Sequence, residues 1–192
     1  MNYLAHLFFA NDNTDSRIGN LLGDFCRGVD VKNLPAEVQQ GLRQHRAVDA
    51  FTDHSAEVLA AKQYFSAQRR RFAGIAIDML FDHFLIRYWS TFHPQPFDLY
   101  RQQLYQKLQS DLPQMPASMQ PTVRAIIRQD WFLSYTEINQ LGHALDLVAQ
   151  QIRFANQFAG AGLDIQAHYP ELEQLFLQFF PRLQQHVQQQ SW

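Results

Sequence analysis

Cysteine is almost missing from this chain: Cys26 is the only one among 192 residues. One thiol excludes an intrachain disulfide framework and any zinc site built from several cysteines. β-Branched residues are scarce too. Val, Ile and Thr together number 22, no more than Leu alone, and eight glycines with eight prolines supply too few turns for an all-β sandwich. Charge of either sign is sparse: 16 Lys and Arg against 18 Asp and Glu leave a formal −2, so no chain-wide positive field recruits nucleic acid. No run of 18 apolar residues occurs. Met1 to Ala10 is apolar but lacks a basic leader and is interrupted by His6, a poor secretory signal. These absences lead us to expect a soluble, cytoplasmic protein with neither a nucleic acid nor a membrane as partner.

What is present favours helices. Gln reaches 25 residues, and 46% apolar against 18% charged residues can fill a sizeable core. The length suits one domain, so residues 1–192 read as a single compact all-α domain of many helices. Helical spacing of apolar residues predicts a first helix over Met1 to Ala10, closed by the turn cluster Asn11 to Asp15, and a short second one around Ile18 to Phe25 with Gly28 as its cap. Pro35 starts a third, and a fourth begins near Ser55 and runs to the basic cluster Arg69, Arg70 and Arg71. Phe72 to Phe92 reads as the central buried helix, ended by Pro94 and Pro96. Further helices are expected over Phe97 to Ser110, Thr122 to Tyr135, Glu137 to Phe158 and Pro170 to Gln189.

Polar residues inside apolar helices carry the chemical information, because burying a charge is costly unless something compensates it. His45 and Asp49 are four apart and share a helix face, with Asp53 drifting about 40° further round. Asp78 and Asp82 repeat that spacing inside the helix expected to be most buried, and Asp24 follows the apolar pair Leu21-Leu22. A divalent ion explains all three patterns. Asp24, His45, Asp49, Asp78 and Asp82 are the candidate ligands, converging from packed helices as in helix-bundle metal sites. Carboxylates and imidazole without thiolate suit Mn²⁺, Mg²⁺ or Fe²⁺ better than a structural zinc.

Each residue also has a plainer account. His45 with Asp49 reads as an exposed helical pair, Asp53 as the N-cap of the fourth helix, Asp24 as a turn residue, His6 as a hydrogen-bonded core histidine, and Asp78 with Asp82 as part of a structural salt bridge. Arg27, Arg46 and Arg87 stand near the acidic residues in sequence, and their guanidinium forks suit phosphate oxygens. Arg69, Arg70 and Arg71, with Lys62, form a local positive patch able to steer an acidic protein partner, or more plainly a solvated helix end.

At these residues the chain resembles, nearly end to end, the bacterial acyl carrier protein phosphodiesterase family. The likeness lies in Met1-Asn2-Tyr3-Leu4-Ala5-His6-Leu7, Gly19-Asn20-Leu21-Leu22-Gly23-Asp24-Phe25 with Arg27-Gly28, His45-Arg46 with Asp49, and Asp82-His83-Phe84-Leu85. Ala167-His168-Tyr169 and Phe179-Phe180-Pro181-Arg182 add to it. The resemblance implies a manganese-dependent, all-helical enzyme with an HD-like bundle. Its substrate would be holo acyl carrier protein, from whose serine it removes 4′-phosphopantetheine, leaving the apo form used in lipid metabolism. It makes Asp24 the leading essential carboxylate, with His45, Asp49, Asp82 and His83 around the metal. HD enzymes carry an adjacent His-Asp pair, whereas here the order is Asp82-His83. The serine alkoxide needs a proton as it leaves, and His83 or His6 is the expected acid. Two other readings remain at this point: an HD-like phosphohydrolase of a nucleotide or another small phosphoester, and a non-catalytic helical binding module.

Overall fold

The computed structural model describes residues 1–190. Among them are twelve α-helices and no strand: α1 (Tyr3–Phe9), α2 (Thr14–Leu22), α3 (Ala36–His54), α4 (Ala56–Gln63), α5 (Ala73–Arg87), α6 (Trp89–Phe92), α7 (Phe97–Asp111), α8 (Gln120–Arg128), α9 (Trp131–Ser134), α10 (Ile138–Gln151), α11 (Ala161–Ala167) and α12 (Tyr169–Gln189). The all-α expectation is borne out, and none of these helices is long and apolar enough to cross a membrane.

α5 is the central element, as its composition demands. Ala76, Ile77, Leu80, Phe81, Phe84 and Leu85 are fully buried. The rings of Phe81 and Phe84 meet Phe176 of α12 at 5.3 and 5.6 Å, while Phe8 of α1 and Phe92 of α6 meet Phe180 at 5.6 and 4.8 Å. Each such buried ring contributes about 1.5–3 kcal/mol, with a further fraction from the edge-on geometry. The α5–α12 pair, with α1 against it, is therefore the rigid frame that carries His6 and Asp78.

α2 and α3 cross at backbone contact because glycine sits on both sides. A Cβ on Gly19 would lie 2.3 Å from the Val38 carbonyl oxygen and 2.8 Å from the Gly41 Cα. Gly19→Ala must push two backbones apart and is expected to cost about 1–3 kcal/mol. Urea denaturation reads this as a lower midpoint at unchanged slope. An unchanged midpoint would mean that the crossing has room for a methyl group.

Several boundaries differ from the sequence reading, each for a visible reason. Ser55, not Asp53, caps α4, its side chain accepting from the Val58 N–H at 3.2 Å. α4 stops at Gln63, so Arg69, Arg70 and Arg71 lie on the turn before α5 rather than on a helix end. The expected helix from Phe72 breaks at Tyr88, and Trp89 donates its indole N–H to the Gln95 carbonyl at 2.8 Å, which folds α6 back. The expected helix over Thr122 to Tyr135 is split at Asp130, whose φ of 49° is left-handed and whose carboxylate pairs with Arg101. Gly160-Ala161-Gly162 is more than a helix stop. α11 begins there because Gly162 lets the chain approach α10, a Cβ at that position falling 2.8 Å from the Gly142 Cα.

Candidate active site

α1, α3 and α5 bring polar side chains together: one from α1, two from α3 and one from α5. His6 of α1 and His45 of α3 stack with ring centroids 3.8 Å apart and planes 15° from parallel. Asp49, one turn after His45, closes the group: its Oδ2 is 3.0 Å from His45 Nε2 and its Oδ1 is 3.2 Å from His6 Nε2. Both histidines are buried, but 40% of the Asp49 side chain remains exposed, so the group is reachable from outside.

The tautomers follow from the backbone. His45 Nδ1 is 2.7 Å from the Asn20 carbonyl oxygen, a contact only an N–H can satisfy. In the neutral ring Nε2 is then a bare lone pair facing a carboxylate oxygen. Two acceptors at that distance need a shared cation, a proton or a metal ion. Burial lowers the proton affinity of His45, but hydrogen bonding and charge from Asp49 outweigh it and raise the pKa. His6 is the opposite case: burial pushes it down to about 4, and neither of its buried ring nitrogens makes an aligned hydrogen bond. A neutral His6 keeps one ring lone pair available to a cation, with Asp49 Oδ1 beside its Nε2. Burial also works against charge on Asp49, yet His45, His6 and the chain's amino group hold its carboxyl far below the ordinary range.

Asp78 of α5 joins through that amino group, which lies 3.0 Å from Asp78 Oδ1 and 3.5 Å from Asp49 Oδ1. Burial opposes the ammonium, but Asp78 and Asp49 prevail and raise its pKa. Asp24 sits on a single 3₁₀ turn, Gly23–Phe25, that follows α2 directly. Gly23 brings this turn against His45: a Cβ there would fall 2.0 Å from the imidazole. Asp24, Asp78 and Met1 help to line a cavity of about 930 Å³. Although its outer edge is exposed, desolvation on the inner side raises the Asp24 pKa, with Asp49 adding and His45 opposing.

Other expected residues lie elsewhere. Asp82 is fully buried one turn beyond Asp78, and its two oxygens accept the N–H groups of Leu4 and Ala5, each at 3.0 Å. It caps α1 and so sets the position of His6, which leaves it no free oxygen edge for the cluster. Burial pushes its pKa up to about 7, against the pull of those two N–H groups. The folded chain then holds a proton that the unfolded chain releases near pH 4, so Asp82 makes stability fall as pH rises from about 4 to about 7. Between pH 5 and 8 this amounts to about 2–3 kcal/mol. The stability penalty of Asp82→Asn is therefore expected to be smaller at pH 8 than at pH 5 by about that amount. Equal penalties in denaturant titrations at the two values would remove this assignment.

His83, a neighbour of Asp82, points another way. Its Nδ1 is 2.7 Å from the Tyr135 carbonyl and its Nε2 is 2.7 Å from the Tyr169 hydroxyl, and burial lowers its pKa. Neutral and bonded at both nitrogens, it ties α5 to α12 and offers no proton to the cavity. His6, the other expected acid, is neutral as well and belongs with the cluster instead. Arg87 pairs with Glu173 at 2.8 Å and lies nine residues, about 14 Å, along α5 from Asp78, away from the site. Arg27 and Arg46 are exposed and have no carboxylate partner among the described residues, with Arg46 Nη2 4.0 Å from Cys26 Sγ. Of the basic triplet, Arg69 binds Asp164 and the Ala159 carbonyl, and Arg70 binds the Phe65 carbonyl. Two of the three arginines are thus structural, and Arg71 alone extends outward over the Phe72 ring.

His6, His45 and Asp49 each place a ligand atom within 4.8 Å of the other two, which fits a metal ion. Sequence reasoning had the last two as ligands but not His6. It also missed the amino group and Gly23. The Gly19/Gly23 and Gly41/His45 spacings, both of four residues, were the available signal for close approach of α2 and α3 at the site.

No solved structure matches this fold. Sequence comparison is decisive instead. The chain is 36% identical to an acyl carrier protein phosphodiesterase of Serratia proteamaculans over 186 residues, 96% of each chain. It is 34% identical to that of Pectobacterium atrosepticum over the same length and share, and 33% identical over 187 residues to that of Escherichia coli, 95% of each. The family description for these enzymes matches residues 1–183, and the chain belongs to the acyl carrier protein phosphodiesterase family.

Proposed function

We propose that this protein hydrolyses the phosphodiester between 4′-phosphopantetheine and the serine of holo acyl carrier protein, releasing apo carrier protein and free 4′-phosphopantetheine. The observation that carries this reading is the His6–His45–Asp49 group, whose ligand atoms converge within 4.8 Å of one another near an open cavity that Asp24 and Asp78 help to line. Its family membership supports the carrier protein as substrate.

His6, His45 and Asp49 would hold the metal, Mn²⁺ being the ion the family resemblance implies, with Mg²⁺ or Fe²⁺ as substitutes. When bound, such an ion supplies Lewis acidity that acidifies water and neutralises charge on a phosphoryl oxygen. Asn20 fixes the His45 tautomer, a contact that orients a ligand and raises its basicity. Asp24, at the cavity wall with a raised pKa, carries the proton: it accepts one from the attacking water and returns one to the serine oxygen. Asp78 holds the amino group against Asp49 and so keeps that carboxylate oriented. Arg27 and Arg46, exposed and uncommitted, take the phosphate oxygens.

The test is incubation of holo acyl carrier protein with the enzyme and Mn²⁺, reading the carrier's mass. Loss of the phosphopantetheine group is expected, together with its abolition by extensive chelation and its return on adding Mn²⁺. A carrier of unchanged mass with Mn²⁺, Mg²⁺ and Fe²⁺ in turn would overturn the proposal.

A further inference from the structure

The cavity that starts at Asp24 and Asp78 continues along one face of α10, where Gln140, His143, Ala144, Leu147 and Gln151 line it. Spacings of three and four residues make these a single stripe, and the eleven helical steps from Gln140 to Gln151 give it a length of about 16 Å. The stripe is mixed in character. Gln140 and His143 are exposed and make no side-chain hydrogen bond among the described residues, while Leu147 stays 46% exposed beside them. Trp131 supplies an aromatic surface at the inner end.

We infer that this groove is the binding subsite for the pantetheine arm, an inference that rests on the function proposed above. From phosphorus to sulfur the arm has about thirteen bonds, and at the 3.3–3.6 Å per three bonds of an extended amide chain it reaches about 14–16 Å. That matches the stripe. Its chemistry matches as well: a geminal dimethyl group near the phosphate, two amides along the middle, and a thiol at the end. With the phosphate beside the metal-binding group at the Asp24 end, the dimethyl group meets Trp131, the amides pair with Gln140 and His143, and the thiol end lies by Leu147. The metal-binding group lies beside the groove: Asp78 on the groove wall is joined to Asp49 through the Met1 amino group, at 3.0 and 3.5 Å.

The test compares two substrates and one inhibitor on the full-length, metal-loaded enzyme. Holo acyl carrier protein carries the arm, and bis(4-nitrophenyl) phosphate is a diester without it. Free pantetheine is expected to inhibit the first reaction competitively. Ala144→Phe narrows the groove midway and should raise both the KM for holo carrier protein and the pantetheine inhibition constant by about tenfold or more, with the turnover of bis(4-nitrophenyl) phosphate within about twofold. Leu147→Asp, at an exposed position that leaves packing intact, should weaken pantetheine by a smaller factor, about threefold. A wild-type enzyme active on holo carrier protein, combined with variants that leave both constants unchanged or slow both substrates equally, would overturn the groove alone. A wild-type enzyme inactive on holo carrier protein would overturn the functional reading and the subsite with it.

Discussion

Asp49→Asn is expected to lower turnover of holo acyl carrier protein by about 10³-fold or more, near 4 kcal/mol of transition-state stabilisation. Asp49 is the one carboxylate that meets His45, His6 and the amino group together, at 3.0, 3.2 and 3.5 Å. An amide keeps the shape and removes the negative charge, so His45 and the buried ammonium lose the compensation that holds a cation there. The bound Mn²⁺ after dialysis, read by atomic emission, should fall with the activity, while circular dichroism stays helical. A variant that kept a tenth of wild-type turnover and its full metal content would remove Asp49 from the site.

Gly23→Ala should have the second largest effect, although the residue touches no substrate. A Cβ at Gly23 falls 2.0 Å from two atoms of the His45 ring, far inside contact distance. The ring is not a flexible end that can swing away, since Asn20 holds one nitrogen and Asp49 faces the other. Either His45 leaves Asp49 or the turn carrying Asp24 moves outward, and both outcomes damage the site. Turnover is expected to fall by about 10²-fold and Mn²⁺ affinity by about tenfold or more, the scale on which orienting contacts act in metal sites. Stability should change much less, because the turn lies at the edge of the core. Equilibrium dialysis with Mn²⁺ and thermal unfolding of the same preparation separate these effects. Normal metal affinity with normal activity would show that the ring yields without consequence.

The contrast between Asp78 and Asp82 marks how far the site was legible in the sequence. Their spacing correctly placed both on one inward face of the core helix. Yet one bonds the amino group at the cavity and the other caps α1 through Leu4 and Ala5. Periodicity assigns a face and cannot say which backbone amides another helix will present to it. His83 illustrates the same limit, since its two partners come from residues 52 and 86 positions away. The run Arg69-Arg70-Arg71 shows in the sequence only as a local positive patch. Asp164, 95 positions from Arg69, and local carbonyls take up two of them instead. His45 with Asp49 was legible because both members lie one turn apart on one helix.

The sequence by itself determined the helical class, the buried character of α5, the His45–Asp49 pair and the family to which the chain belongs, since composition, i,i+4 spacing and ordered motifs all live along the chain. Tertiary structure alone decided that His6 completes the group, that Asp82 and His83 are fasteners, and that the acidic cavity opens into a groove along α10. The reason is physical. A ligand set, a cap and a groove are defined by which surfaces meet across helices, and here glycine contacts at Gly19, Gly41 and Gly23 set that meeting distance.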